Sequence, residues 1–186
     1  MIDLTERNIN ILILDISKRD SENALKYLYR HYFDKLMRYI SIYIKSEQTA
    51  EEIISDVFFT IWQNRKSLAE IKNFNAYIYT ITRNRSIDYF RVKKMDFGQL
   101  SEIPVDLYFR TDTTPEDDMI TKELAKTLDD TINSLPNQCK SAFKLIREDK
   151  LKYKEAAEIL NISVKTLEAH ITKAIKELRL ALKNGS

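Results

Sequence analysis

Apolar residues recur at steps of three and four along most of the chain, which is the spacing of one face of an α-helix. The pattern predicts a long helix in the first quarter, a second helix after it and a third from about 75 to 94. The stripe of the first comprises Ala24, Leu25, Leu28, Tyr32, Leu36, Tyr39, Ile40 and Tyr43. The stripe of the second comprises Ala50, Ile53, Ile54, Val57, Phe58, Ile61 and Trp62. Helical spacing resumes near 120 and continues to about 183.

The segment between these two helical parts, 95–120, loses the helical period and contains two of the three prolines of the chain. It carries seven acidic residues against Arg110, so that its net charge is −6. A segment of this composition is typical of a linker. With only two glycines in 186 residues, the sequence predicts an all-α fold. We expect two small helical domains, 8–94 and 121–183, joined by an acidic linker at 95–120.

Two helical patterns near the C-terminus, within YKEAAEILNISVKTLEAHITKAIKELRLAL (153–182), are separated only by NIS. Asn161 can adopt the left-handed backbone that usually requires glycine, and Ser163 can cap the next helix with its hydroxyl. Ala157 and Leu167 supply the small and core positions around that turn. These features predict a helix-turn-helix, whose second helix fits the DNA major groove. A helical hairpin packed within a core is the alternative.

The second helix of this pair has two different faces. Its apolar stripe comprises Val164, Leu167, Ile171, Ala174, Leu178 and Leu182. The opposite side carries Lys165, Glu168, Ala169, Thr172, Lys173 and Lys176.

A basic strip, RNRSIDYFRVKK (83–94), has five basic residues and one acid. Tyr89 and Phe90 are interleaved with them. Cations neutralise phosphates and aromatic rings stack on unpaired bases, so the strip predicts a contact with single-stranded or melting DNA. The alternative is a solvated helix end, where cations are favoured by the helix dipole.

Composition excludes several classes of protein. Cys139 is the only cysteine, which rules out an internal disulfide, and its apolar neighbours predict a core position. The run INILILDI is too short to span a bilayer and lacks a signal-peptide cleavage site, so we expect a cytoplasmic protein without membrane insertion. Two histidines and one cysteine offer no metal cluster. Without a glycine-rich phosphate loop or paired catalytic carboxylates, we expect neither an enzyme nor a cofactor.

Several stretches resemble regions of an extracytoplasmic-function (ECF) sigma factor of the RNA polymerase sigma-70 family. ALKYLYRHYFDKLMRYI, AEEIISDVFFTIWQNR and FNAYIYTITRNRSIDYFR are similar to region 2. INSLPNQCKSAFKLIREDKLKYKEAAEILNISVKTLEAHITKAIKELR is similar to region 4. Region 3 of larger sigma factors has no counterpart, as is typical of this group. The resemblance implies binding to core RNA polymerase and to the −35 and −10 promoter elements, with melting of the −10 region.

The resemblance assigns roles in region 2. The polymerase-binding residues that it implies are Glu52, Ser55, Asp56 and Gln63, with serine at 55 where the family often has glutamine. The resemblance also implies that the loop RKSLAEIKNF (65–74) receives a base flipped from the −10 strand, and Asn84 matches the family asparagine beside that pocket. The −10 DNA-binding residues so implied are Phe74, Arg83, Asn84, Arg85, Asp88, Arg91, Lys93 and Lys94.

In region 4, the resemblance makes the second helix of the pair the −35 reader. The residues that it implies are Lys165, Thr166, Glu168, Ala169, His170, Thr172, Lys173 and Lys176. Of these, Lys165, Thr166 and His170 are expected near phosphates. Glu168 departs from the family, which more often has a basic or small polar residue there.

The expected partners are core RNA polymerase, promoter DNA and an anti-sigma factor, and we expect a monomer when the protein is free. Two other functions fit parts of the pattern. One is a dimeric helix-turn-helix regulator with a helical sensing domain, which would need an apolar dimer face. The other is a sigma mimic that sequesters an anti-sigma factor, which would be free to lose the basic strip.

Overall fold

The computed structural model describes residues 6–92 and 119–184, with side chains described for 8–92 and 125–183. Every regular element within these ranges is helical, which confirms the all-α prediction. The chain divides into two compact units, Met1–Phe97 and Gly98–Ser186. The acidic linker predicted at 95–120 lies almost entirely outside the described residues, and the predicted domain limits stay predictions.

The first unit contains four α-helices and one short 3₁₀-helix. The α-helices are α1 (Glu6–Arg19), α2 (Glu22–Ile40), α3 (Glu47–Gln63) and α4 (Phe74–Val92), and the 3₁₀-helix is Arg65–Glu70. Serine hydroxyls cap the two central helices: Ser21 accepts from the Ala24 amide and Ser46 from the Thr49 amide, each at 3.2 Å. These caps satisfy amides that would otherwise lack a partner, which explains where the two helices begin.

The predicted apolar stripes of α2 and α3 form the core of the first unit. Every member of the two stripes is buried except Leu25 and Trp62, which are half-buried. Aromatic rings join the helices, with the Tyr29 and Phe58 centroids 4.9 Å apart between α2 and α3. The Tyr39 and Tyr79 centroids lie 5.4 Å apart between α2 and α4, in an edge-to-face arrangement.

The apolar run near the N-terminus belongs to α1, which packs against α2 and the 3₁₀-helix. Ile9, Ile13 and Ile16 of α1 are buried. The segment 65–74 is predicted as a loop, and the 3₁₀-helix at its start is a difference from that prediction. Leu68 accounts for it, since its side chain is fully buried and holds this short segment against the core.

The second unit contains α5 (Met119–Ser134), α6 (Asn137–Phe143), a π-helical turn (Lys144–Glu148), α7 (Tyr153–Leu160) and α8 (Val164–Asn184). Leu135, Cys139 and Ala174 form a buried cluster that Phe143 covers. The predicted core position of Cys139 is confirmed, and burial raises the pKa of its thiol. A neutral thiol is a poor nucleophile, so Cys139 serves packing here.

The two faces of α8 supply a test of the core of the second unit. We expect Leu167→Ala to lower the free energy of unfolding of that unit by about 2–5 kcal/mol, because the fully buried side chain leaves a cavity. Leu180→Ala is the matched control, since Leu180 lies on the same helix and is 45% exposed. Circular dichroism during urea titration measures the effect.

Fluorescence of Trp62, the only tryptophan, reports the unfolding of the first unit in the same titration. Its urea midpoint should be the same in wild type and in both leucine variants. Equal shifts for the two leucine variants would contradict the assignment of Leu167 to the core.

Candidate nucleic-acid interface

The turn between α7 and α8 has the geometry that the sequence predicts. Asn161 adopts φ 55° and ψ 46°, the left-handed conformation. The Ile162 amide donates to the Ala157 carbonyl at 3.0 Å, which closes the end of α7. Ser163 Oγ accepts from the Thr166 amide at 3.0 Å and so caps the start of α8. The predicted helix-turn-helix is confirmed as a structural feature.

The face of α8 opposite the core is a continuous exposed surface. Leu167, Ile171 and Ala174 are buried on the inner side. The exposed residues from the predicted −35 set are Lys165, Thr166, Glu168, Ala169, Thr172, Lys173 and Lys176. The predicted apolar stripe extends beyond the buried part of α8, because Val164 is 41% exposed and Leu178 is only half-buried.

Two hydroxyls on this surface bond to their own helix. Thr172 Oγ1 donates to the Glu168 carbonyl at 2.8 Å, and Thr166 Oγ1 lies 2.8 Å from Ser163 Oγ. The hydroxyls of both threonines are thus engaged within the protein. The long charged side chains of Lys165, Glu168 and Lys173 are therefore the groups best able to reach a groove.

His170 needs a correction, because it does not share this outer surface. Its ring is half-buried, with Nδ1 3.3 Å from Cys139 Sγ and Nε2 enclosed by protein. The reason is helical spacing: position 170 follows Leu167 by three residues and so lies beside the inner stripe. In this position the ring contributes to packing, and the structure does not support the predicted phosphate contact.

The outer side of α4 carries most of the predicted −10 residues. Asn84, Arg85, Asp88 and Arg91 are exposed, and Arg83 is half-buried. Arg91 Nη1 donates to Asp88 Oδ1 at 3.1 Å, and Arg85 Nη2 donates to Thr60 Oγ1 of α3 at 2.9 Å. Lys93 and Lys94 lie outside the described residues.

The aromatic residues of the basic strip differ from prediction. Phe90 is 3% exposed, and Tyr89 is half-buried with its ring centroid 5.5 Å from that of Phe90. Phe90 is therefore unavailable for stacking on a base, since it belongs to the core face of α4.

Phe74 is also buried, with its ring 5.7 Å from that of Tyr32 in an edge-to-face contact. A direct contact of Phe74 with DNA would require the ring to leave this core. Its position instead anchors the end of the loop 65–74. Asn73 strengthens that anchor, because its Oδ1 accepts from the Ala76 amide at 3.0 Å and caps α4.

The outward face of α3 brings together the four predicted polymerase-binding residues. Glu52, Ser55, Asp56 and Gln63 are all exposed, and their spacing places them on one side of the helix. The carboxylates of Glu52 and Asp56 lie one turn apart, so this face is acidic.

Comparison with known proteins supplies the decisive observation. The family model described as Sigma-70 region 2 matches residues 28–95, and that described as Sigma-70, region 4 matches residues 125–178. The two matches occur in the order that the sequence analysis predicts and together cover about two thirds of the chain. The chain belongs to the sigma-70 family.

Relatives place this sigma factor in the ECF group, as predicted. It is 27% identical over 174 residues to the ECF RNA polymerase sigma factor SigW of Bacillus subtilis, covering 90% of this chain and 93% of SigW. It is 28% identical over 155 residues to the RNA polymerase sigma factor SigZ of the same organism, covering 83% of this chain and 85% of SigZ.

Two solved structures share the fold of this sigma factor, each at 20% identity. CnrH, solved in complex with the cytosolic domain of CnrY, has a TM-score of 0.61 and covers 96% of this chain and 99% of its own. RpoE, solved in complex with the anti-sigma factor NepR from Bartonella quintana, has a TM-score of 0.58, with 85% and 96% covered.

One residue of the sigma factor surface was missed by sequence reasoning. Phe59 is 59% exposed and lies on the outward face of α3 between Asp56 and Gln63. Its position next to Phe58 hid it among core residues. The spacing could have revealed it, since position 59 is four residues after Ser55, three after Asp56 and four before Gln63.

Neither a membrane span nor a metal cluster is found in the described parts of the sigma factor. Among those residues, no helix combines the length and apolar character needed to cross a bilayer. Within the same ranges, no three histidine, cysteine or acidic side chains come together as metal ligands.

Proposed function

We propose that this ECF sigma factor binds core RNA polymerase, reads the −35 and −10 elements with separate units and helps to melt the −10 region. The observation that carries the proposal is the exposed outer face of α8, the second helix of the helix-turn-helix. This face belongs to a chain whose first unit matches region 2. The work would take place in the cytoplasm, where polymerase and DNA meet. It needs no catalytic group, because binding energy alone can drive the opening of a few base pairs.

The −35 element would be read by charged side chains of α8. Glu168 can accept from the N4 amino group of cytosine, and Lys173 can donate to guanine O6 and N7. Lys165 and Lys176 would contact phosphates, which position the helix without reading sequence. Because an ionised carboxylate can only accept hydrogen bonds, Glu168 favours a −35 sequence with cytosine at its site.

The −10 element would be read by the loop 65–74 and the outer side of α4. Flipping a base out of the duplex costs a few kcal/mol, which contacts in a pocket can repay. Asn84 can bond to a base edge, and Arg85 and Arg91 can neutralise phosphates of the strand. The burial of Phe90 leaves the half-buried Tyr89 as the aromatic ring of the strip that could reach a base.

The outward face of α3 would bind the polymerase. Its acidic groups, Glu52 and Asp56, suit a basic partner surface, and Phe59 supplies apolar area at its centre. An aromatic anchor ringed by polar groups is typical of the residues that dominate binding energy. Free protein would be a monomer, and an anti-sigma factor would compete for its surfaces, as the complex named for RpoE suggests.

Run-off transcription tests the proposed function most directly. The full-length protein is mixed with core RNA polymerase and a library of genomic promoter fragments, and transcripts are sequenced. We expect discrete start sites that require the protein. A protein that instead bound naked DNA tightly as a dimer and gave no transcripts would be a regulator of the ordinary helix-turn-helix class.

A first prediction concerns the face of α3. We expect the double variant Glu52→Lys and Asp56→Lys to lose affinity for core polymerase, because both charges that face the partner are reversed. Titration with labelled core enzyme measures the loss. Asp34→Lys is the control, since Asp34 is an exposed acid on α2 outside this face. If the double variant bound core enzyme as tightly as this control, the assignment of the face would be wrong.

A second prediction concerns the two kinds of residue on α8. Lys165→Ala and Lys176→Ala should weaken binding about equally for all promoters and each reduce the salt slope by about one. Glu168→Ala or Lys173→Ala should change which −35 base pairs are accepted, at about 1–3 kcal/mol for each lost bidentate contact.

Selection from a randomised −35 library by holoenzyme distinguishes the two kinds of residue. Recovery of the wild-type −35 sequence with the Glu168 and Lys173 variants would show that α8 is not the reader.

A further inference from the structure

A cluster of charged side chains joins the end of α1 to the loop 65–74. The match to sigma-70 region 2 includes Arg65 and Lys66 of this cluster but not Asp20. Asp20 lies just after α1, before the region 2 match that begins at residue 28. Its carboxylate accepts from Arg65 Nε and, at 2.9 Å, from Lys66 Nζ. Arg65 and Lys66 are the first two residues of the loop that is proposed to receive the flipped −10 base.

Arg65 is held on three sides. Besides its contact with Asp20, its Nη1 donates to the Trp62 carbonyl at 3.0 Å. Its guanidinium carbon lies 4.5 Å from the centroid of the Trp62 ring, a cation–π contact. The side chain of Arg65 thus ties the end of α1 to the end of α3, at the point where the chain enters the 3₁₀-helix.

The backbone is tied at the same place. Ser17 of α1, which is buried, donates through Oγ to the Lys66 carbonyl at 3.1 Å. Asp20 itself has φ 51°, a left-handed conformation that turns the chain from α1 into α2 and that aspartate and asparagine tolerate. The hydrogen bonds from Lys66 and Arg65 hold the pKa of Asp20 below its ordinary value, so the carboxylate is charged at neutral pH.

These ion pairs contribute little to the stability of the fold. The side chains of Asp20 and Lys66 are 47% and 61% exposed, and exposed pairs add little to the free energy of unfolding. What the cluster does is restrict where the 3₁₀-helix can lie. A binding loop that is already in its bound position loses less conformational entropy when it binds.

We infer that Asp20 is a positioning residue for −10 recognition: through Arg65 and Lys66 it holds the start of the loop 65–74 in place to receive the non-template strand. This inference rests on the proposed function, and it deepens it by assigning a role to α1. The other end of the loop is fixed independently by Phe74 and Asn73, so Asp20 governs the entry side alone.

Simple electrostatics predicts the opposite effect, which makes the inference testable. If Asp20 acted only through its charge, its removal would strengthen the binding of an anionic strand. If it positions the loop, removal weakens that binding. Asp20→Asn is the suitable change, because asparagine keeps the left-handed backbone and removes the charge.

Asp15→Asn is the matched control. Asp15 lies on α1, close before Asp20, and pairs with Arg19 of the same helix at 3.0 Å. The substitution removes the same charge five residues away without altering a contact to the 3₁₀-helix. Both variants are compared with wild type as holoenzyme with core polymerase.

The probe is a labelled non-template oligonucleotide that spans the −10 element of a promoter chosen by the run-off assay. An oligonucleotide of scrambled sequence and a duplex that carries only the −35 element serve as references. We expect Asp20→Asn to bind the −10 strand about 3- to 10-fold more weakly than wild type. Asp15→Asn should bind it as well as wild type or slightly better, and both variants should bind the −35 duplex unchanged.

Two measurements on free protein separate positioning from loss of structure. Emission of Trp62 should shift to longer wavelength in Asp20→Asn as Arg65 leaves its ring, while the urea midpoint stays that of Asp15→Asn. In the Arg65→Gln background, the loss caused by Asp20→Asn should shrink, since the two side chains act through one contact.

Equal −10 affinities for Asp20→Asn and Asp15→Asn would overturn the inference and leave the proposed function standing. A wild-type holoenzyme that bound the −10 and scrambled strands equally would overturn the proposed −10 recognition, and the inference with it.

Discussion

The packing of α2 against α4 is the constraint on which the first unit depends. Tyr32 and Tyr39 of α2 meet Phe74 and Tyr79 of α4 in edge-to-face contacts, and these residues are almost fully buried. Because they fix the rotation of α4, they determine which of its side chains point outward. Burial of the apolar stripes then leaves the opposite sides of α3 and α4 exposed. The residues of this unit that are proposed to bind partners are those that its core leaves exposed.

The second unit follows the same logic with a different device. There the turn at Asn161 sets the angle between α7 and α8, and burial of Leu167 and Ile171 sets the rotation of α8. A few local features, namely one left-handed residue and one serine cap, thus orient the entire exposed face of α8. The proposed roles of the two units require no chemistry beyond such orientation, which suits a protein that works by binding.

Sequence reasoning reached the helices, the turn and the outward faces, because each depends on local spacing or on one residue with a distinctive backbone. It did not reach features that depend on tertiary contacts. The 3₁₀-helix has one buried apolar side chain, that of Leu68, and is otherwise held by contacts from α1, which is too little for a periodic pattern. Phe90 was misplaced because the composition of the basic strip suggested a role before its distance from the core stripe was considered, whereas the role of His170 came from the family resemblance. Phe59 was missed for another reason: it stands next to Phe58 of the core stripe, and its own helical spacing from Asp56 and Gln63 was not considered.

The division of α8 into an inner and an outer side has a consequence for how such proteins diversify. Glu168 and Lys173 are exposed, so under the proposed −35 role substitutions there would change promoter preference with little effect on stability. His170 differs from them, because its contact with Cys139 links α8 to the core. Under the proposed −35 role, DNA preference would therefore change freely at the exposed positions of this helix, whereas position 170 is constrained by packing.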